Sequence, residues 1–336
     1  MGISRRTVLK YGAAAAGVAS LPRRSFGQGA QIKLVFSHHV PTAHLIHGVA
    51  VKFADKVKER TNGQVEIGIR PASQLFNLRT SAEALQLGTL DMCWTDLGTL
   101  GNWHPQFGFV SLPFLFDGYD HVKRVLYGPI GERVRKDARD SLGIEVLSLG
   151  ASGFRVFLSK KAIQTAGDVR GIRLRVPEIP TWVEMAKALG ANPTPIPAGE
   201  IYTALQTGVI DAFESPADYI VSSRNYEVAG HVTRTHHIFT EVSMMASAAK
   251  MDSLPANVQK AIRDSAVEAV QQEMWEANLK VQESAWADLA KRIKANPSPD
   301  VASFRARMAP VVKGFIGKAG PKGRALVEAV QAAAKA

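Results

Sequence analysis

The sequence predicts an α/β protein built as two lobes around a cleft, and three observations carry that prediction. Strand-like and helix-like segments alternate along the first half of the chain, the pattern of an α/β layer. A near-repeat joins Leu85-Gln86-Leu87-Gly88-Thr89-Leu90-Asp91-Met92 to Leu205-Gln206-Thr207-Gly208-Val209-Ile210-Asp211-Ala212, so two halves share a local plan. The 309 residues after Gly27 also exceed what one hydrophobic core usually serves.

Ile32 to Phe36 is a β-rich apolar run, and Val65 to Ile69 alternates through Glu66 and Gly68; both read as strands. Between them Val49, Phe53 and Val57 recur every fourth residue from His44 to Arg60, and Thr61-Asn62-Gly63 stops the helix. A second helix opens at Thr80-Ser81-Ala82-Glu83, a capping-box spacing, and ends at Gly88. In both copies of the repeat the glycine suits the left-handed turn that ends a helix, and the apolar-Asp pair feeds a buried strand.

Glu145 to Ser148, Arg155 to Leu158 and Arg173 to Val176 read as strands, and Pro180 to Leu189 as a helix with proline in its first turn. From Leu254 to Asn296 apolar residues keep helical spacing with no glycine or proline after Pro255. That predicts one long helix, or two joined by a bend, running about 60 Å and spanning both lobes. Asp300 to Lys318, interrupted near Pro310, and Pro321 to Ala334 complete the helices.

The formal net charge is +11, with 46% hydrophobic and 21% charged residues, which excludes a disordered chain. Ser4-Arg5-Arg6-Thr7-Val8-Leu9-Lys10 is a twin-arginine pattern, followed by an Ala- and Gly-rich apolar stretch too short to span a bilayer. Residues 1–27 therefore read as an export signal cleaved after Gly27, leaving a periplasmic protein. Its removal takes five cations and no anion, so 36 cations face 30 anions and the net charge falls to +6. That excess is too small to argue for nucleic acid or a membrane surface. Cys93 is the only thiol, which rules out an intrachain disulfide and paired-cysteine metal sites.

No dinucleotide fingerprint, phosphate loop, nucleophile elbow or His-Glu-x-x-His motif appears, so neither an enzyme nor a bound cofactor is expected. His38, His39, His44 and His47 cluster, but no third and fourth ligand at suitable spacing accompanies His44 and His47, and no metal is expected. Arginines are more informative. Arg155 stands in Gly153-Phe154-Arg155-Val156-Phe157, and Arg173 and Arg175 share one strand face, with Leu174 and Val176 opposite. A guanidinium can grip a carboxylate through two parallel hydrogen bonds. Pairing within the protein, with Glu178, Glu214 or backbone carbonyls, is the equal alternative.

The chain resembles the substrate-binding subunits of tripartite ATP-independent periplasmic (TRAP) transporters of the dicarboxylate-binding type, across essentially all of its mature length. The resemblance rests on Phe53-Ala54-Asp55-Lys56-Val57-Lys58-Glu59-Arg60-Thr61-Asn62-Gly63, Leu112-Pro113-Phe114-Leu115-Phe116, Leu174-Arg175-Val176-Pro177 and Ala204 to Ala212. It implies a two-lobed periplasmic binding fold, class II-like, that closes by a hinge with a long helix across its back. Lobe 1 would comprise residues 28–152 with 241–280, and lobe 2 residues 153–240 with 281–336. It also implies a small organic acid as ligand, delivery to a small and a large membrane subunit, and a monomer or homodimer. A ligand-presenting sensor or scavenger, or an enzyme on the same scaffold, is the alternative.

By that resemblance Arg175 forms the bidentate bridge to the ligand carboxylate, and Arg155 also faces the ligand. Phe213, Ser215 and Asp218 become candidate selectors. Ser215 stands where sugar-acid binders of the family often carry asparagine, which counts against that class. From the first lobe, His38, His39, Gln74, Trp94 and Thr95 lie near the ends of predicted strands, where ligands bind in such sheets.

Overall fold

The computed structural model describes residues 31–334, so the twin-arginine segment and its cleavage point lie outside the described residues. Among these residues the strands are β1 (Ile32–Ser37), β2 (Val65–Arg70), β3 (Met92–Thr95), β4 (Ile144–Phe154), β5 (Val156–Ser159), β6 (Arg173–Val176), β7 (Asn192–Pro195), β8 (Ala212–Ser215), β9 (His231–Thr233), β10 (Phe239–Ser247) and β11 (Lys294–Asn296). They form two mixed sheets, ordered β2-β1-β3-β10-β4 and β7-β6-β8-β5-β9-β11.

The two sheets follow one plan. In the first, β1 runs parallel to β2 and β3, and β10 antiparallel to β3 and β4. In the second, β6 runs parallel to β7 and β8, and β5 antiparallel to β8 and β9. The near-repeat marks the equivalent turn in each. Gly88 and Gly208 take left-handed φ values of 70° and 79°, ending a helix before β3 and β8. The following aspartate then accepts the amide of the neighbouring parallel strand: Asp91 Oδ2 from Val35 N at 2.8 Å, Asp211 Oδ2 from Arg173 N at 3.0 Å. A carboxylate capping an otherwise unpaired strand amide explains why the repeat keeps an aspartate there.

Each sheet also receives a strand by direct continuation from the other. Only Arg155 separates β4 from β5, and the chain returns through Ile238 into β10; Arg155 N donates to the Ile238 carbonyl at 2.9 Å. These adjacent crossings are the hinge. The third crossing is helical: Ala256–Val267, a π turn Glu268–Met274 and Trp275–Arg292 run on without a break for about 55 Å. Its first half packs on the helix Leu45–Arg60 and on β4, its second on the helix Ala217–Ser222 and β11, so it spans both lobes. Gly150 in β4 lets the π turn approach, because a Cβ there would lie 2.7 Å from Val270 Cγ1.

Local signals explain the helices that frame the cleft. Leu45–Arg60 buries Ile46, Val49, Ala50, Phe53 and Val57 along one face, and His44 caps its start by accepting the Ile46 amide on Nδ1. The second helix corrects the sequence reading. It begins at Leu78, with Asn77 rather than Thr80 as its N-cap. The Asn77 side chain accepts from Thr80 N, and Thr80 Oγ1 accepts from Asn77 N, each at 2.9 Å. Asparagine caps as well as a hydroxyl residue, and here it starts the helix earlier. At the C-terminal end Val301–Arg305 is one short helix. Ala309–Ala333 then starts with Pro310 in its first turn and kinks at Gly320 before Pro321. This last helix packs on Pro105–Ser111 and on Pro180–Ala188.

Two buried apolar clusters hold the fold, and each draws on both sheets. One contains Leu85, Phe107, Val176, Trp182 and Phe315, the other Phe36, Trp94, Phe213, Ile262 and Trp286.

Two glycines of opposite character test the backbone argument. Gly48 is exposed inside the helix Leu45–Arg60, and a methyl group added there would meet nothing, so Gly48→Ala should raise the unfolding free energy by about 0.5–1 kcal/mol. Gly88→Ala meets equally open space but at φ 70°, and should lower it by about 1 kcal/mol. Urea unfolding of both variants checks the opposite signs.

Candidate functional site

The segments that follow β1, β3, β6 and β8 all line one cavity between the lobes, including His39 and Val40, Asp96 and Thr99, Pro177 and Glu178, and Pro216. In both sheets the chain passes to opposite sides of the first strand, and a crevice opens at the carboxyl ends of the strands. The cavity encloses about 70 Å³ that the centre of a water molecule can reach.

Arg175 lies in this wall near the carboxyl end of β6. Its strand partner in register is Phe213 on β8, and Thr194 lies opposite on β7. Two residues upstream on the same face, Arg173 is half exposed and bonded to Asp211 through Nε at 2.9 Å and Nη2 at 2.6 Å. Arg175 is only 6% exposed, and no carboxylate pairs with it among the described residues. Nε donates to the Ile196 carbonyl at 2.9 Å, and that is its one hydrogen bond to the described protein. Burial pulls its pKa down to about 10, with Arg155 adding to the effect, so the guanidinium remains charged at neutral pH. A buried cation whose two terminal nitrogens lack acceptors is a costly arrangement unless an anion completes it.

Arg155 lines the same cavity in a different electrostatic state. Its Nε and Nη2 grip the carboxylate of buried Glu214, and Nη1 donates to Thr240 Oγ1 at 2.9 Å. His237 Nε2 lies 3.4 Å from Glu214 Oε2. Burial would push Glu214 up, but Arg155 and His237 outweigh it and hold the carboxyl below its usual range. The guanidinium also sits 4.7 Å over the Trp182 ring. Arg155 thus joins Glu214 on β8 of the second sheet to Thr240 on β10 of the first. Of the alternatives left open by the sequence, Arg155 takes pairing with Glu214, whereas Arg175 takes a single backbone carbonyl.

The wall from the first sheet carries two acids, Asp96 and Glu241, together with Arg79. Asp96, the N-cap of Leu97–Leu100, accepts Thr99 N at 2.6 Å and Thr99 Oγ1 at 2.9 Å, both on Oδ1. Glu241 on β10 accepts Leu97 N on Oε2 at 2.8 Å and the Ser243 hydroxyl on Oε1. Burial pushes Asp96 up to about 6; burial and then the nearby Asp96 charge push Glu241 up to about 8. His39 shares this side, and burial, its histidine neighbours and Arg175 hold it well below its ordinary pKa, hence neutral.

At one edge of the cavity the lobes are tied by His44 Nε2 and Asp218 Oδ2, 3.1 Å apart with both side chains buried. Because Nδ1 of His44 accepts the Ile46 amide, Nε2 carries the proton that faces Asp218.

Of the residues proposed from sequence, the cavity brings together Arg175, Arg155, Ser215 and His39. The others lie elsewhere. Trp94 and Phe213 are fully buried within the apolar core, Trp94 with its ring centroid 6.1 Å from that of Phe36. Thr95 is also fully buried and bonds the Leu78 carbonyl. His38 is buried behind the wall, its Nε2 3.0 Å from His47 Nδ1. Gln74 is exposed on the loop after β2. Asp218 is buried against His44 rather than on the cavity wall. Sequence reasoning missed Asp96, Glu241, Trp182, Asn77 and Tyr219. The repeat held a signal for Asp96, which follows β3 as Pro216 follows β8; nothing near Glu241 or Trp182 in the sequence marks them.

A profile of the family described as bacterial extracellular solute-binding protein, family 7, matches residues 36–318. The sialic acid-binding periplasmic protein SiaP of Vibrio cholerae is 30% identical over 267 residues, 79% of this chain and 83% of its own. Among solved structures, the sugar acid binding protein DctPAm of Advenella mimigardefordensis, in complex with galactonate, superposes with a TM-score of 0.86 at 26% identity, covering 91% of this chain and 98% of its own. A TRAP periplasmic solute binding protein from a Polaromonas species, bound to D-erythronate, gives 0.84 at 29% identity, covering 90% and 99%. These likenesses agree with the motifs, the paired sheets and the interlobe cavity: the chain belongs to family 7 of the bacterial extracellular solute-binding proteins.

Proposed function

We propose that this protein captures a small organic acid in the interlobe cavity, holds its carboxylate on Arg175 and carries it unchanged to the two membrane subunits of a TRAP permease. The observation that carries the reading is the Arg175 guanidinium, buried, charged and without a carboxylate partner among the described residues, facing the cavity. A ligand carboxylate supplies the missing acceptors in the bidentate geometry that a planar guanidinium favours. Relatives that bind sialic acid, galactonate and D-erythronate support the ligand class, since each of those ligands carries a carboxylate.

Arg155, neutralised by Glu214, contributes shape and a polar surface rather than a free charge, and Trp182 and Ser215 complete that side. The absence of a recognisable nucleophile motif in the sequence supports carriage over catalysis. The twin-arginine pattern supports export of the folded protein to the periplasm with the signal removed near Gly27, and a monomer or a homodimer serves the role equally. Among the described residues no helix is long and apolar enough to cross a membrane.

A ligand that binds only the folded state, present at 100 times its Kd, adds about 2.7 kcal/mol to stability. Thermal unfolding of the ligand-free protein against a panel of organic acids should therefore show a clear upward shift with at least one of them. Arg175→Ala should weaken that acid by about 3–5 kcal/mol, roughly 100-fold or more, while unfolding cooperatively without ligand. Arg175→Lys should recover only part of the loss, because an ammonium cannot form the paired bonds. Mass spectrometry of the acid recovered after binding should return it unaltered; a new species would establish turnover instead.

A further inference from the structure

The chain after Gly27 has a net charge of only +6, but that charge is not spread over the molecule. Residues 28–304 hold 29 cations and 29 anions, and residues 305–336 hold seven cations and one anion. The whole excess therefore sits at the C-terminal end of the chain. Six of those cations fall among the described residues: Arg305, Arg307, Lys313, Lys318, Lys322 and Arg324. All six are exposed, as is the one anion, Glu328.

The protein itself neutralises little of this. Lys318 lies 3.6 Å from Glu184, and Arg305 sits 4.5 Å over the Phe114 ring. Arg307, Lys313, Lys322 and Arg324 have no salt-bridge partner among the described residues. Neighbouring helices do not offset the excess either: Tyr119–Tyr127, Pro129–Leu142 and Pro180–Ala188, which pack on Ala309–Ala333, together carry seven cations and five anions. Val311, Phe315, Leu326, Val327 and Val330 anchor the last helix on its buried side. Its outer side offers little besides charge. Ala309, Pro310, Gly314, Gly317, Pro321 and Ala325 are exposed between the cations, and no large hydrophobic side chain is exposed along it.

We infer that this C-terminal segment is a docking surface for an anionic lipid bilayer, which holds the protein against the membrane by charge and without insertion. The inference goes beyond ligand capture and does not depend on Arg175. Specific protein interfaces are built around a desolvated core of aromatic and aliphatic side chains, and this surface has none, so a protein partner is the poorer fit. A field of anionic headgroups needs only what is present: a cluster of about four to eight long, flexible cations, with small residues between them that let the helix lie close. Such a contact is weak, reversible and screened by salt, because the cations keep their water and nothing apolar is buried. For a protein that delivers to membrane subunits, it confines the search for them to the plane of the bilayer.

Co-sedimentation of the mature protein with lipid vesicles is the test. The protein should bind vesicles of phosphatidylcholine containing about one third phosphatidylglycerol and not vesicles of phosphatidylcholine alone. Salt at about 1 M, where the Debye length is about 3 Å, should release it. Replacing the four unpaired cations together, Arg307→Gln, Lys313→Gln, Lys322→Gln and Arg324→Gln, should weaken binding to anionic vesicles at least 10-fold, since one cation near such a surface is worth about five-fold. A control with the same loss of charge, Lys33→Gln, Lys58→Gln, Lys161→Gln and Lys280→Gln, removes exposed cations that also lack salt-bridge partners among the described residues, and should bind as the wild type does. Both variants change only exposed side chains, and a cooperative thermal transition in each shows that they fold. Equal weakening in the two variants would mean that net charge rather than this segment is felt, and overturns the inference. Equal binding to neutral and anionic vesicles, or binding that survives the salt, overturns it too. Binding to the permease in neutral lipid that the first variant loses, with no affinity for anionic vesicles, gives the surface to a protein partner instead.

Discussion

The arrangement of this protein depends on one electrostatic constraint: a buried guanidinium at the wall of the interlobe cavity without a carboxylate partner among the described residues. Arg175 is held by its strand and by one backbone carbonyl, so its position is set while its charge is left unmatched. Burying a charge in this way is strongly unfavourable until an anion meets it, and the same desolvation makes the eventual ion pair strong. The neighbouring arginine shows what the alternative looks like. Arg155, equally buried, is saturated by Glu214, Thr240 and the Trp182 face, and its charge is cancelled within the protein. Two buried arginines thus line one cavity, one matched within the protein and one without a carboxylate partner among the described residues.

The fold makes that constraint possible because the cavity belongs to neither lobe. Arg175 comes from the second sheet and Asp96 and Glu241 from the first, and all three line the same cavity. Three covalent crossings join the lobes: the junction of β4 with β5 at Arg155, the return into β10, and the long helix with its π turn against Gly150. Arg155 binds both sides of the hinge at the point where the strands cross, which couples the hinge to the cavity wall. The His44–Asp218 pair closes one edge, with the His44 tautomer already chosen by the helix it caps.

Much of this is legible residue by residue. The repeat around Gly88 and Gly208 announces two equivalent helix-to-strand turns, and five strands of each sheet follow one order, the second sheet adding β11 at its edge. The uninterrupted helical spacing after Pro255 announces the helix that crosses both lobes, because a helix that long has no single-lobe partner. Arg175 stands out because strand periodicity and its motif agree on it. Trp94 and Phe213 show where periodicity stops helping: alternation tells which face of a strand a side chain occupies, not how far along the strand the core ends and the cavity begins. The start of the helix at Asn77 shows the same limit at a smaller scale, since two adjacent sets of residues offered capping chemistry and only packing chose between them.

Local sequence is enough for the α/β class, the two-lobed plan, the position of the long helix, the family and the arginine proposed to anchor an acid. Each of these is written in periodicity, turn chemistry or contiguous motifs. Folding is needed to tell which arginine is matched and which is free, and to bring Asp96 and Glu241, 145 positions apart in the chain, into one acidic wall. The reason is physical: charge state, desolvation and cavity shape depend on distances between residues that meet only in three dimensions. No local pattern records which buried charge will find its partner within the protein and which will not.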